Sequence, residues 1–240
     1  MAKPDPTQWS VLPNQGIERW EENLWRVRGA LPKMALERQM LVARSPDGRL
    51  VIHNGIALDE PDMAALEAWG EPSVLIVPNG FHRLDAARYG RRYPNIRIHC
   101  PKGARRAVEK VVAVDGTYDE LPSMDGIQLE HLRGVAKVEG VMRVRSERGV
   151  TLVFNDCLFN QPHLPGLFGL IYRALGQSGA PKVTAISRTF LVKSKAEYAD
   201  HLRELAATPD LIRFVPGHID PVTEDPAGAL RRVADDLHPA

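Results

Sequence analysis

The sequence has little cysteine, no long apolar run and almost no net charge, and each scarcity excludes a class of protein. The two cysteines, Cys100 and Cys157, form neither a CxxC motif nor a disulfide framework, which suits a reducing compartment. No apolar run approaches the ~18 residues that a membrane-spanning helix needs. With 31 Lys and Arg against 30 Asp and Glu, the chain has no global field that would favour nucleic acid.

The first six residues, Met-Ala-Lys-Pro-Asp-Pro, lack the apolar region of a signal peptide. We therefore expect a cytoplasmic protein with a small-molecule substrate and no nucleic-acid partner. A local run of cations is interpreted as a solvated helix face. It comprises Arg88, Arg91, Arg92, Arg97, Lys102, Arg105 and Arg106.

What is present is an ordinary globular composition, with 44% hydrophobic and 25% charged residues over 240 positions. Residues 1–22 contain Pro and Trp without periodicity, and we expect an irregular lead-in there, followed by a single domain over 23–240. Strand patterns occur at 23–27, 38–44, 50–53, 73–77, 96–100, 126–132, 140–144, 150–154 and 211–215. Helical patterns occur at 59–69, 85–93, 102–111, 194–207 and from 225. This order predicts one α/β domain of packed layers.

Polar side chains follow three of the predicted strands, at the point where each strand ends. His82 and Asp85 come after 73–77, Asp156 follows 150–154, and His218 and Asp220 follow 211–215 through a Pro-Gly turn. Because α/β proteins present their chemistry at the carboxyl ends of strands, we expect these side chains to share one site.

Two of these stretches carry a family resemblance. Asn155-Asp156 with Leu158-Phe159, and Pro216-Gly217-His218, resemble motifs of the metallo-β-lactamase fold superfamily, from about Asn23 onward. The resemblance implies a four-layer αββα sandwich that usually holds one or two zinc or iron ions. The chain is most similar to an uncharacterised branch whose loop reads Pro-Asn-x-x-His, as Pro78 to His82 does here.

The sequence departs from the superfamily's motifs at three places. The His-x-His-x-Asp-His loop is absent, and only His82 and Asp85 offer ligands there. No His follows Gly134, where the third motif should fall, so His131 and Glu139 are the nearby candidates. His53 stands where the first motif usually has Asp.

The resemblance implies a ligand set, carried over residue by residue. His82, Asp156 and His218 would bind one zinc or iron ion, and Asp85 would be a fourth ligand or a catalytic base. A dinuclear site needs about six protein ligands, so we expect at most one ion. Further candidates for the site are His53, His131, Glu139 and Asp220.

Each candidate also has a structural interpretation. A carboxylate at the end of a buried strand needs a partner, which for Asp156 could equally be a set of hydrogen bonds. His218 could be a loop histidine satisfied by hydrogen bonds, and Asp85 could cap the following helix. Cys157 is interpreted as a core thiol, since nothing nearby in sequence would lower its pKa.

An apolar segment over 163–175 directly follows the Asp156 strand. It is too short to span a membrane. It is either a helix packed over the core, or an apolar lid or a surface at 164–175 that contacts a partner or a membrane peripherally.

Two hypotheses follow. The chain is a mononuclear metal-dependent hydrolase of an ester or phosphoester, or its site has decayed. In the second case it is a metal-free, non-catalytic binding protein that keeps the fold. The missing His-x-His pair favours decay, whereas the retained Asp156 and Pro-Gly-His218 favour the enzyme.

Overall fold

The computed structural model describes residues 5, 7–32, 34–163, 165–174, 178–218 and 220–239, with positions 34, 35, 168 and 172 described by their backbone alone. The chain folds into two compact units. The first ends at Leu129 and the second begins at Glu130. The single domain over 23–240 stays a prediction.

In the described part of the chain, the first unit has a seven-stranded sheet whose strands follow chain order. They are β1 (Asn14–Glu21), β2 (Leu24–Leu31), β3 (Met34–Arg44), β4 (Arg49–His53), β5 (Glu71–Ile76), β6 (Arg97–Cys100) and β7 (Gly116–Thr117). The first four strands pair antiparallel, and β4 to β7 pair in parallel. Parallel neighbours need crossover connections, and their carboxyl ends meet at one edge. This edge carries His53 and the loop that follows β5.

Helical segments supply these crossovers. They are α1 (Glu60–Trp69), α2 (Ala86–Arg92) and a 3₁₀ turn (Lys102–Ala104) that runs into α3 (Arg105–Val108). Another 3₁₀ turn, at Tyr118–Glu120, follows β7. The Asp59 side chain accepts a hydrogen bond from the backbone N–H of Asp62 and so caps α1. The core of this unit includes the fully buried Leu50, Ile52 and Tyr89.

The second unit has a sheet of order β11-β10-β9-β8 among the described residues, although the first three residues of β8 precede the boundary at Glu130. Its strands are β8 (Ile127–His131), β9 (Gly140–Ser146), β10 (Gly149–Val153) and β11 (Leu211–Val215). Its helices are α4 (Gly166–Ala174), α5 (Ala185–Phe190), α6 (Lys195–Ala206) and α7 (Pro226–Leu237). Apolar residues of α6 and α7, such as Leu202 and Leu230, join Phe154 and Phe214 in the core.

The pairing of β10 with β11 decides where the chemistry falls. The two strands are parallel, and Val153 lies opposite Val215. Asp156 and His218 each come three residues after this pair. Both strands therefore end at the same edge of the sheet, and each is followed by a polar side chain at the same distance from the last paired residues.

The structure differs from the sequence prediction in several segments, three of which are described next. Residues Asn14–Glu21, predicted to be irregular, form β1, because they pair with β2 along its length. The helix predicted over 102–111 is a 3₁₀ turn and one α-helical turn. Helix α5 was not predicted; the Thr184 side chain starts it by accepting from the N–H of Ser187. No helix in the described residues is long and apolar enough to cross a membrane.

Candidate functional site

The second unit brings Asp156 and His218 together. Nε2 of His218 lies 3.1 Å from Oδ1 of Asp156, and both side chains are largely shielded from solvent. An imidazole nitrogen and a carboxylate oxygen at this distance form either a hydrogen-bonded pair or two ligands of one cation. The sequence predicted both residues as ligands, and the structure shows that they are neighbours.

A buried carboxylate positions the backbone beneath this pair. Glu139 is fully buried, and its two oxygens accept the backbone N–H of Asp156 at 3.1 Å and of Cys157 at 2.8 Å. The Ser187 hydroxyl donates to the Asp156 carbonyl at 2.7 Å. The turn after β10 is therefore held from both sides, and Glu139 acts on the site by positioning Asp156.

Close packing fixes the turn that carries His218. A Cβ added to Gly217 would lie 2.8 Å from Oδ1 of Asn155 and 2.9 Å from its Cα, so only glycine allows this approach. The imidazole of His218 stacks on the Phe159 ring, with centroids 5.7 Å apart and planes 20° apart. The ring is thus oriented by an aromatic contact as well as by its backbone.

Asn155 is a further polar group in this unit that sequence reasoning passed over. It is buried, and neither its amide oxygen nor its amide nitrogen has a hydrogen-bond partner among the described residues. Asn155 directly precedes Asp156 in the sequence, but only the structure shows that it packs against Gly217.

In the first unit, the loop after β5 presents His82. The buried Asn79 side chain accepts the backbone N–H groups of Phe81 and His82, at 2.8 and 2.9 Å. This Asx turn explains the Pro-Asn-x-x-His spacing, because a shorter or apolar side chain could not close the loop in this way. The imidazole of His82 is half-buried.

His53 lies in the same unit and interacts electrostatically with His82. Burial, reinforced by the nearby His82, lowers the pKa of His53 to about 3, so its ring is neutral near neutral pH. Its Nδ1 has no hydrogen-bond partner among the described residues. The buried imidazole of His53 is therefore uncharged.

Asp85 has a different environment from the one its predicted role requires. Its carboxylate is ion-paired with the guanidinium groups of Arg38 and Arg88 and accepts the N–H of Ala57 at 3.2 Å. It stands at the N-cap position directly before α2, but its side chain makes no capping hydrogen bond. The geometry gives it a structural role that joins β3, α2 and the loop after β4; its catalytic role stays a prediction.

The remaining candidates are less constrained. His131 ends β8 and is half-buried. Asp220 is exposed, and its backbone carbonyl accepts from the Asn160 amide at 3.0 Å. Cys157 is fully buried, and burial, together with Glu139, raises the pKa of its thiol well above the ordinary value. This supports its interpretation as a core thiol.

The fold defines the class: an α/β protein with the αββα sandwich fold of the metallo-β-lactamases. A DIM-1 metallo-β-lactamase exposed to ceftazidime is 14% identical with a TM-score of 0.63, over 95% of this chain and 99% of that one. A metallo-β-lactamase from Erythrobacter litoralis is 13% identical with a TM-score of 0.61, over 92% and 96%. FIM-1 from Pseudomonas aeruginosa, in its mono-zinc form, is 9% identical with a TM-score of 0.63, over 94% and 96%.

At such low sequence identity, the structural similarity shows the fold and not the activity. No protein-family model matches the chain. No curated protein matches it either. The chain is therefore metallo-β-lactamase-like in fold.

Proposed function

We propose that this protein is a metal-dependent hydrolase that holds one zinc or iron ion with His82, Asp156 and His218. The observation that carries the proposal is the Asp156–His218 pair, 3.1 Å apart at the ends of two adjacent parallel strands. The positions of all three residues in the sequence, together with the fold, support it. A solved structure of the same fold is described as a mono-zinc form.

The donor atoms in the second unit fit such an ion. Zinc and iron both accept imidazole nitrogen and carboxylate oxygen. Asp156 and His218 offer one of each, on turns that Glu139 and Phe159 hold in place. Orientation by surrounding groups of this kind is what a ligand set requires.

When bound, the ion would supply Lewis acidity and make water a stronger nucleophile at neutral pH, which suits an ester or a phosphoester. The chain's own residues prepare this site. Glu139 aims the Asp156 carboxylate by holding the backbone behind it. Cys157, with its raised pKa, stays a thiol and takes no part as nucleophile. Asp85 is left out of the machinery because Arg38 and Arg88 hold its carboxylate.

A second element of the proposal concerns the apolar segment at 164–175. Its helix α4 has exposed apolar side chains at Leu167, Leu170 and Ile171. We infer that this segment contacts something outside the chain. The metal-free binding protein is the weaker hypothesis, because a decayed site would not need Glu139 buried beneath Asp156.

The test is metal analysis of protein purified without a His-tag, comparing the wild type with Asp156→Asn and the exposed control Asp236→Asn. We expect at most one equivalent of zinc or iron in the wild type and the control. We expect a loss of at least about tenfold in metal affinity in Asp156→Asn, because a neutral amide replaces an anionic ligand. Hydrolysis of ester and phosphoester substrates should fall in parallel.

Thermal melts with and without a chelator complete the experiment. A chelator should lower the melting temperature of the wild type and leave Asp156→Asn unchanged, since binding to the native state alone stabilises it. A wild-type melting curve that does not move, with no metal in the purified protein, would refute the proposal.

A further inference from the structure

Helix α4 exposes the face that an ordinary surface helix would bury. Leu167, Leu170 and Ile171 stand at i, i+3 and i+4, on one side of the helix, and they are 76%, 63% and 51% exposed. Gly169, on the other side, is buried. Among the described side chains of α4, these three apolar groups therefore lie in solvent.

Hydrogen bonds join the two ends of the segment that carries α4. Phe159 and Lys182 exchange two backbone hydrogen bonds, both 2.9 Å long. Gly179 donates its N–H to the carbonyl of Gln161 at 2.7 Å, and His163 Nδ1 lies 2.9 Å from the Ser178 hydroxyl. Helix α4 therefore lies on a stretch of chain whose two ends are held together.

Helix α5 begins three residues after this joined base and repeats the pattern. Ile186 and Phe190 stand at i and i+4, and they are 61% and 70% exposed. Ser187 between them is buried and donates to the Asp156 carbonyl. Five of the chain's large exposed apolar side chains thus belong to two neighbouring short helices, which we call the α4–α5 surface.

The charged residues in the sequence of this stretch all have one sign. From Cys157 to Ala196 the sequence has no Asp or Glu, although 30 acids occur in the chain. The same stretch has five cations: Arg173, Lys182, Arg188, Lys193 and Lys195. Arg173, Lys193 and Lys195 are exposed, and none of the five forms a salt bridge with a carboxylate within the described ranges.

The cationic run between Arg88 and Arg106, interpreted above as a solvated helix face, differs from this stretch in its ion pairs. There, Arg92 pairs with Glu60 and Glu67, and Arg105 pairs with Glu109. Charges of both signs alternate and satisfy one another. The five cations of the stretch 157–196 form no such ion pair in the part of the chain that the structure describes, and the same stretch carries the exposed apolar groups of α4 and α5.

We propose that the α4–α5 surface docks on an anionic lipid bilayer. Short helices with an outward apolar face and unneutralised cations are suited to the interface, where apolar side chains enter the acyl boundary and cations meet lipid phosphates. This inference deepens the contact surface proposed above by naming its occupant. It is independent of the metal site.

The experiment is co-sedimentation of the full chain with vesicles of phosphatidylcholine alone and of phosphatidylcholine mixed with phosphatidylglycerol. We expect binding to the anionic vesicles, weak binding to the neutral ones, and loss of binding as salt rises, since screening shortens the reach of the charges. The variant pairs Leu170→Ser with Ile171→Ser, and Lys193→Gln with Lys195→Gln, should each weaken binding at least about tenfold.

Matched controls come from the first unit. Val111→Ser removes an exposed apolar side chain, and Arg106→Gln with Lys110→Gln removes two exposed cations. Both should bind vesicles as the wild type does. Equal losses in controls and surface variants, or no binding to anionic vesicles, would overturn the proposal.

Two other outcomes would also overturn it. Concentration-dependent oligomers that Leu170→Ser with Ile171→Ser abolishes, without vesicle binding, would make the surface a contact between copies of the chain. Surface variants that lose hydrolysis but never bound vesicles would make α4 a lid. The metal proposal fails separately, because Asp156→Asn should still bind vesicles and the surface variants should keep their metal.

Discussion

Nε2 of His218 lies 3.1 Å from Oδ1 of Asp156, although the two residues are 62 positions apart in sequence. Parallel pairing of β10 and β11 produces this proximity, since Val153 faces Val215 and each polar residue follows three positions later. Both residues stand in turns that directly follow two hydrogen-bonded strands, and a pair supported in this way is held more rigidly than one on loops alone.

The close approach of Gly217 to Asn155 predicts the effect of Gly217→Ala. The added methyl would lie 2.8 to 2.9 Å from Asn155, part of it backbone, so the turn must shift. We expect a loss of roughly 1–3 kcal/mol in the free energy of unfolding, measured by denaturant titration. Metal affinity should fall as His218 moves.

The control for this change is Gly90→Ala inside α2, where the nearest side-chain atoms are 3.3 and 3.4 Å away. We expect little change there. A Gly217→Ala protein with wild-type stability and metal content would show that the turn is not constrained as described.

The bonds from Glu139 to two backbone N–H groups predict that Glu139→Gln is destabilising. The amide keeps one acceptor and turns a donor toward the N–H of Asp156 or Cys157, so one buried donor loses its partner. The free energy of unfolding should fall by roughly 1–3 kcal/mol. Glu224→Gln, at an exposed position, is the matched control. Equal stability of the two variants would contradict a positioning role for Glu139.

The pairing of Asp85 with Arg38 and Arg88 predicts a stability defect in Asp85→Asn. Removing the anion leaves buried guanidinium groups uncompensated, which costs roughly 3–5 kcal/mol. Arg38→Met in the same chain should restore part of this loss, because one of the unpaired charges is removed with it. Chemical denaturation of the single and double variants measures both effects. Lost hydrolysis at unchanged stability would instead assign Asp85 a catalytic role.

The burial of His99 predicts part of the acid sensitivity of the fold. Burial lowers the pKa of His99 below the ordinary 6.5, although a contact with the Thr117 carbonyl opposes the shift. The folded state therefore binds this proton less readily than the unfolded chain, and stability is lost as pH falls below the ordinary pKa. His99→Gln should flatten the decline in melting temperature between neutral and mildly acidic pH. The exposed His238→Gln should leave it as in the wild type, and an equal effect of the two would refute the assignment.

Much of the local structure followed from the sequence. Strand patterns at 150–154 and 211–215 were observed as β10 and β11, and Ser194 caps α6 as its spacing with Glu197 predicts. The fold class is confirmed by structures of the same fold over nearly the whole chain. These successes rest on side-chain periodicity and on hydrogen bonds between near neighbours, which a sequence contains directly.

The contacts that give the candidate site its shape were decided by tertiary structure. Glu139 reaches the backbone of Asp156 and Cys157 across 17 and 18 positions, and Arg38 reaches Asp85 across 47. The apolar pattern of α4 predicts a helix but not that Leu167 and Leu170 face solvent. A one-dimensional pattern records which residues share a face of an element; which partner that face meets depends on how distant segments pack, and only the folded chain contains that information.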